Sequence, residues 1–230
     1  IYTRAYTLSL HDALPISTLT NFLPGRNTEL LYLLGNILAG REKERFVYLW
    51  GGLGCGKSHL LQAMVAGYTQ NTAKAVYFSA KQNPDAKFSV DQDIDCVAVD
   101  DIHCLTESAQ SELFNLYNQL RDETQAFLLV SGPAAPAYLD MRQDLVTRLG
   151  WGLVYQVHEL TEEEKMQAMK SYAADCGFDL SQEICLYLLR HGRRDLPSLM
   201  MTLDALDRYS LANQRQITIP LLRELLQVAS

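Results

Sequence analysis

The sequence predicts an α/β fold, a parallel β-sheet flanked by helices with a small C-terminal α-helical domain after it. Three observations predict it. Short apolar runs of strand length alternate with segments whose apolar residues recur at helical spacing, as in 46–50 followed by 60–68. The strand candidates are nearly continuous in apolar character, as a sheet covered on both faces requires. Beyond Val157 such runs stop, and helix-start signals follow one another to the end of the chain.

The elements can be justified in chain order. Thr7 to Ile16 (Thr-Leu-Ser-Leu-His-Asp-Ala-Leu-Pro-Ile) is the translation of ACT CTT TCC CTA CAC GAC GCT CTT CCG ATC, a common short-read sequencing adapter. Ile1-Tyr2-Thr3 and Tyr6 continue the adapter upstream, around a variable index covering Arg4 and Ala5. Residues 1–16 are therefore expected to be an adapter scar, disordered and outside the fold, with genuine sequence beginning near Ser17. The competing readings are a signal peptide, whose apolar core His11 and Asp12 would interrupt, and a natural flexible arm. Leu30, Leu31, Leu34, Ile37 and Leu38 predict a helix over 28–38, ended by Gly40 and a charged cluster. Phe46–Trp50 predicts a strand, the glycines at 51, 52, 54 and 56 a loop, and Leu60, Leu61, Met64, Val65 and Tyr68 one face of the next helix. Further strands are expected at 75–79, 96–99, 127–131 and 153–157, with a helix between whose face carries Leu113, Leu116, Tyr117 and Leu120. Thr161 with Glu164 forms a capping-box pattern, Ser181 is a second cap, and Asp195 with Pro197 opens a third helix. A last helix follows Thr218-Ile219-Pro220. The expected division is an α/β nucleotide-binding domain over 17–157 and a helical lid over 158–230.

Composition narrows the function. Twenty Lys+Arg against 27 Asp+Glu give a net charge of −7, which argues against a large positive field for nucleic-acid backbone. Removing residues 1–16 takes away Arg4 and Asp12, one charge of each sign, so the argument is unchanged. The five cysteines are odd in number and scattered through apolar segments, so a disulfide framework is not expected and a reducing cytoplasm fits. Cys96, His103 and Cys104 lack the paired spacing of a metal site and read as core cysteines beside a loop histidine. No run reaches the roughly 18 apolar residues of a membrane span.

The chemistry concentrates in a few motifs. Gly51-Gly52-Leu53-Gly54-Cys55-Gly56-Lys57-Ser58 matches G-x-x-x-x-G-K-[ST], the P-loop, between a strand and a helix. Small residues let backbone N–H groups converge on phosphate oxygens, the helix N-terminus adds positive potential, Lys57 neutralises phosphate charge and Ser58 ligates Mg²⁺. Ile94 to Asp101 is an apolar strand ending in two carboxylates; Asp100 is the metal-side acid and Asp101 the candidate base that polarises an attacking water. Ser131, at the end of the next strand, suits a γ-phosphate sensor and reads equally as a plain strand-end serine. Arg148, at the end of an amphipathic segment, would without the loop be an ordinary helix arginine; with it, the position suits an arginine projected toward a neighbour's nucleotide. Arg194 could fold over bound phosphate from the lid side, with Arg193 a competing candidate.

Taken together, Thr18-Leu19-Thr20-Asn21-Phe22, Gly51 to Leu61, Val99-Asp100-Asp101-Ile102, Arg148-Leu149-Gly150-Trp151-Gly152 and Arg194-Asp195-Leu196 resemble the successive boxes of the DnaA-related AAA+ family. The resemblance covers nearly everything from Thr18 onward. Within the family the chain is most similar to the branch of DnaA regulatory inactivators, in segments such as Phe114 to Asn118 and Met200 to Asp207, and because no basic helix-turn-helix region follows the lid. The resemblance implies an AAA+ P-loop base with a lid, bound ADP or ATP with Mg²⁺, Arg148 as arginine finger and Arg194 as the lid sensor arginine. It implies weak or no intrinsic ATPase and stimulated hydrolysis of DnaA-bound ATP together with the DNA-loaded sliding clamp, the DNA polymerase III β subunit, which prevents re-initiation of replication in the cytoplasm. DNA is then contacted only indirectly, no membrane is involved, and a homo-oligomer stays open. Members of the branch hold the clamp through an N-terminal glutamine-containing motif. Leu8-Ser9-Leu10 resembles it superficially but lies inside the adapter match and lacks the glutamine, so the motif is expected to be missing here. The alternatives are a truncated DnaA-like initiator or helicase loader, marked by nucleotide-dependent binding to a helicase or single strands, and a P-loop small-molecule kinase, marked by turnover of an acceptor.

Overall fold

The computed structural model describes residues 17–91, 93–192 and 195–228. It contains β1 (Phe46–Trp50), β2 (Ala75–Ser79), β3 (Cys96–Asp100), β4 (Phe127–Gly132) and β5 (Leu153–Gln156). The helices of the first part are α1 (Thr28–Leu38), α2 (Lys57–Gln70), α3 (Glu107–Glu123) and α4 (Gln143–Leu149). Those of the last part are α5 (Glu162–Asp175), α6 (Gln182–His191), α7 (Leu196–Asn213) and α8 (Ile219–Val228). By its contacts the chain forms two compact units, one up to His158 and one from Glu159. The fold class is the predicted one: an all-parallel sheet in the order β2-β3-β4-β1-β5 with helices on both faces, and a separate helical unit.

The continuous apolar strands follow from this layering. Successive side chains of a strand point to opposite faces. Phe46, Tyr48, Val97, Val99, Leu128 and Val130 pack with Leu113, Leu116 and Leu120 of α3 and Leu145 and Leu149 of α4. Val47, Leu49, Cys96, Ala98, Phe127 and Leu129 face the other way, onto Leu30, Leu34 and Ile37 of α1 and Leu60, Leu61 and Met64 of α2. Neither face of the central strands meets water, so neither needs polar residues.

The ends differ slightly from expectation. β3 extends to Asp100, which registers against Ser79, and β4 to Gly132, which registers against Trp50. β5 stops at Gln156, although Val157 still donates its N–H to the Trp50 carbonyl at 2.7 Å. Parallel neighbours need a crossover, usually helical. The crossover from β2 to β3 is instead irregular over its described residues, and it is anchored by burying Ala86 and Phe88 in the α3-side core.

Gly152 shows how tightly β5 is seated. A Cβ there would lie 2.2 Å from the Phe46 carbonyl oxygen, a backbone atom that cannot swing aside. Gly152→Ala is expected to destabilise the chain by about 1–3 kcal/mol or more, as overpacking does, read from the urea midpoint. A change within about 0.5 kcal/mol, the range of neutral surface substitutions, would contradict this packing.

The helical unit starts as its sequence signals indicate. Thr161 Oγ1 accepts from the Glu164 N–H at 3.2 Å, and Glu164 Oε2 accepts from the Thr161 N–H at 2.7 Å, a reciprocal capping box. Ser181 caps α6 through the Ile184 N–H, and Asp195 caps α7 through the Ser198 N–H. Met169, Leu188, Leu203, Leu206, Leu221 and Leu222 supply a separate apolar core. No helix among the described residues is long and apolar enough to cross a membrane.

Candidate functional site

In an open parallel sheet, ligands bind outside the carboxyl ends of the strands. Here the carboxyl ends of β1, β3 and β4 are adjacent, and they carry the glycine loop, Asp100 and Ser131. The loop joins β1 to α2. Gly56, its last residue before α2, has φ +102°, a left-handed conformation that a side chain resists, and a Cβ there would meet the Phe22 ring at 2.6 Å. Glycine is thus required twice over. Among the described residues, the backbone N–H groups of Gly54 and Gly56 have no protein acceptor. Lys57 is buried, 8% exposed, and its ammonium donates to the carbonyls of Gly51 at 2.8 Å and Gly52 at 2.9 Å, with Cys55 Sγ at 3.7 Å. Ser58, one residue further into the first turn of α2, is exposed. The donor set is therefore free N–H groups, a helix N-terminus, a held ammonium and an exposed hydroxyl. It fits a phosphate chain with a divalent cation, which Ser58 and Asp100 could hold.

The acidic side is more enclosed than the sequence suggests. Asp100 is 2% exposed and Ser131 wholly buried. The Ser131 hydroxyl donates to Asp100 Oδ1 and accepts the Asp101 N–H at 2.9 Å, while the Tyr77 hydroxyl donates to Asp100 Oδ2 at 2.7 Å. Burial first, then the Asp100 charge and this hydrogen bond, raise the Tyr77 pKa well above that of an ordinary phenol, so Tyr77 remains a donor throughout the physiological range. Asp101 follows in a left-handed conformation, φ +55°, which aspartate tolerates better than most residues. Its side chain is half-exposed.

Arg148 lies elsewhere. It borders a small gap with Phe46 and Val47, at the start of β1, and with Leu128 near the start of β4. The gap extends to Tyr48 and Val130 at mid-strand, whereas the site residues from the loop, β3 and β4 cluster at or beyond the carboxyl ends of the strands. Its guanidinium lies over the Trp151 ring, 4.0 Å from the centroid, and 5.6 Å from that of Phe114. Nη1 is buried without a hydrogen-bond partner. The expected outward projection is thus a guanidinium laid on an indole that is itself 58% exposed. Arg194, and its competitor Arg193, lie outside the described residues, as do residues 1–16.

Several contacts at the site were not anticipated. Tyr77 is one. The segment after Ser17 is another: Ser17 Oγ donates to Gln62 Oε1 at 3.1 Å, His59 Nε2 lies 3.0 Å from the Thr18 carbonyl, and Phe22 packs on Gly56. Asn27 is a third. Its buried amide donates to the His158 carbonyl at 2.9 Å and accepts the His158 N–H at 2.7 Å, fixing the end of the first unit. The one sequence signal for these contacts is the similarity of Thr18 to Phe22 to a family box.

A parallel sheet of this order, a glycine loop entering α2 and paired acids at the end of β3 define a P-loop domain of the AAA+ class, here followed by a helical unit. Residues 15–156, more than half of the chain, match the bacterial DnaA ATPase domain, and residues 162–226 match the lid domain of Hda. The chain belongs to the bacterial DnaA ATPase domain family and is an Hda/DnaA-related AAA+ protein. Among solved structures it is similar to domain III of the replication initiation protein DnaA from Thermotoga maritima, with TM-score 0.74, 20% identity, and 93% of this chain and 96% of that one covered. It is also similar to AMPPCP-bound DnaA from Aquifex aeolicus, with TM-score 0.71, 22% identity and coverage of 85% and 67%. A point mutant of RuvB from Thermotoga maritima is similar at TM-score 0.67, 16% identity and coverage of 92% and 72%. These likenesses concern the fold.

Proposed function

We propose that this chain is an ADP-binding AAA+ regulator of DnaA that stimulates hydrolysis of DnaA-bound ATP, together with the DNA-loaded sliding clamp, and so prevents re-initiation of replication in the cytoplasm. Gly51, Gly52, Gly54, Cys55 and Gly56 shape the phosphate loop, Lys57 and Ser58 contact phosphate and Mg²⁺, and Asp100 supports the cation through water. Asp101 and Ser131 complete the site, and Arg194 closes on bound phosphate from the lid. The match to an Hda lid and the AMPPCP bound to a DnaA of the same fold support the nucleotide and the partner. The observation that carries the regulatory part is the placement of Arg148 at the strand end remote from its own loop. A guanidinium there serves a neighbour's nucleotide and not its own.

The test is hydrolysis of ATP preloaded on purified DnaA, in the presence of clamp-loaded DNA and this chain carrying a glutamine-containing clamp motif at its N-terminus. Hydrolysis is expected to accelerate only when all components are present. Equal rates with and without the chain would refute the regulatory reading.

A further inference from the structure

Asn27 stands at the N-cap position of α1, where an asparagine side chain ordinarily accepts a hydrogen bond from the first turn of its own helix, and it makes no such bond. Its buried amide is used 131 residues away. Nδ2 donates to the His158 carbonyl at 2.9 Å and Oδ1 accepts the His158 N–H at 2.7 Å, so one side chain holds both backbone groups of one residue. The two residues before His158 are held as well. Gln156 is in register with Trp50 in the sheet, and Val157 donates to the Trp50 carbonyl at 2.7 Å. A Cβ on Gly51 would lie 2.5 Å from the Val157 carbonyl oxygen, so the phosphate loop begins against this same stretch. His158 is the last residue of the first unit. Glu159, the first of the helical unit, is tethered within that unit, its carboxylate accepting from the buried Lys165 ammonium at 2.5 Å. The two holds meet at one junction, that of His158 with Glu159.

From this geometry we propose that Asn27 is a positioning residue that confines the hinge between the two units to the residues after His158, so that closing the helical unit on bound nucleotide has one residue fewer to order. A hinge is a few residues that absorb backbone rotation, and the entropy of fixing each one opposes closure. The inference goes beyond the residues that contact phosphate, and it rests on the reading that Arg194 closes on phosphate from the helical unit.

The experiment is calorimetric titration of ADP into the full chain, in the parent and in Asn27→Ser, each with Arg193 and Arg194 present and with both replaced by alanine. Serine still offers α1 an N-cap but is too short to hold both His158 groups. With the arginines present, Asn27→Ser is expected to raise the Kd for ADP about five- to thirtyfold, the range set by the backbone entropy of one added hinge residue. Without them it should change Kd by less than about twofold, as independent sites do, because the contact that rewards closure is gone. An equal loss in both backgrounds, or no loss in either, overturns the role of Asn27 and leaves the nucleotide site standing. Undiminished ADP affinity on removing the two arginines overturns the reading of Arg194 and the proposal with it, and no ADP binding by the parent overturns the nucleotide site itself. Should Asn27→Ser not fold, hydrogen exchange in the ADP-free parent provides a second measurement. The His158 amide should exchange as slowly as that of Val157, and an unprotected His158 amide would overturn the proposal.

Discussion

Replacing Lys57 with alanine is expected to remove about half to five-sixths of the thermal stabilisation that ADP confers on the chain. A ligand that binds only the folded state stabilises by about 2.7 kcal/mol at a hundredfold excess over Kd. For a chain of 230 residues this raises Tm by roughly 5–11 °C. The Lys57 ammonium is already at the loop, held by the Gly51 and Gly52 carbonyls, so contact with phosphate requires little reorganisation. Hydrogen bonds to charged groups contribute about 1.5–3 kcal/mol, so its removal should weaken binding about ten- to hundredfold. At the same ADP concentration and a hundredfold weaker Kd the stabilisation falls to about 0.4 kcal/mol. Melts of both proteins with and without Mg-ADP read this directly. An undiminished shift in Lys57→Ala would mean that ADP binds elsewhere.

The loop was legible in the sequence because its information is local. Eight consecutive residues carry the phosphate chemistry, and the flanking apolar run and helical face declare strand and helix. The strands were legible for a related reason: Cys96-Val97-Ala98-Val99 is buried on both faces and needs no polar residue until Asp100. The helical unit was legible through its caps, Thr161 with Glu164, Ser181 and Asp195, where side-chain chemistry must match the exposed backbone N–H groups.

The contacts left unread all depend on strand order or on packing between distant segments. Tyr77 is an ordinary strand residue by composition. Its bond to Asp100 exists only because β2 lies beside β3 with Ser79 opposite Asp100, a register that no local pattern encodes. The grip of Asn27 on His158 spans most of the first unit. The seat of Arg148 was half visible, since Trp151 follows three residues later, but Phe114 comes from α3. The irregular crossover before β3 was also hidden, because Ala86 and Phe88 are too few to show a period.

Arg148→Ala is expected to abolish most stimulation of DnaA while leaving this chain's fold and ADP affinity intact. Stacking on Trp151 stabilises by about 0.5–1 kcal/mol, whereas the buried, unpaired Nη1 costs about 1–3 kcal/mol. The two partly offset, so the variant should be as stable as the parent or more stable by up to about 2 kcal/mol. ADP affinity should be unchanged because Arg148 lies beside Phe46, away from the loop. An arginine presented to a neighbour's γ-phosphate stabilises charge developing in the transition state, typically by about 10³ to 10⁵ in rate. Arg148→Lys should rescue poorly, lacking the planar fork, and Arg194→Ala should instead weaken ADP binding within this chain. The decisive measurement is the rate of hydrolysis of DnaA-bound ATP, with clamp-loaded DNA, for the parent and Arg148→Ala, both carrying the clamp motif and both shown to bind ADP equally. The parent should accelerate hydrolysis and the variant should lose nearly all of that acceleration; a variant as active as the parent would contradict a trans-acting role for Arg148.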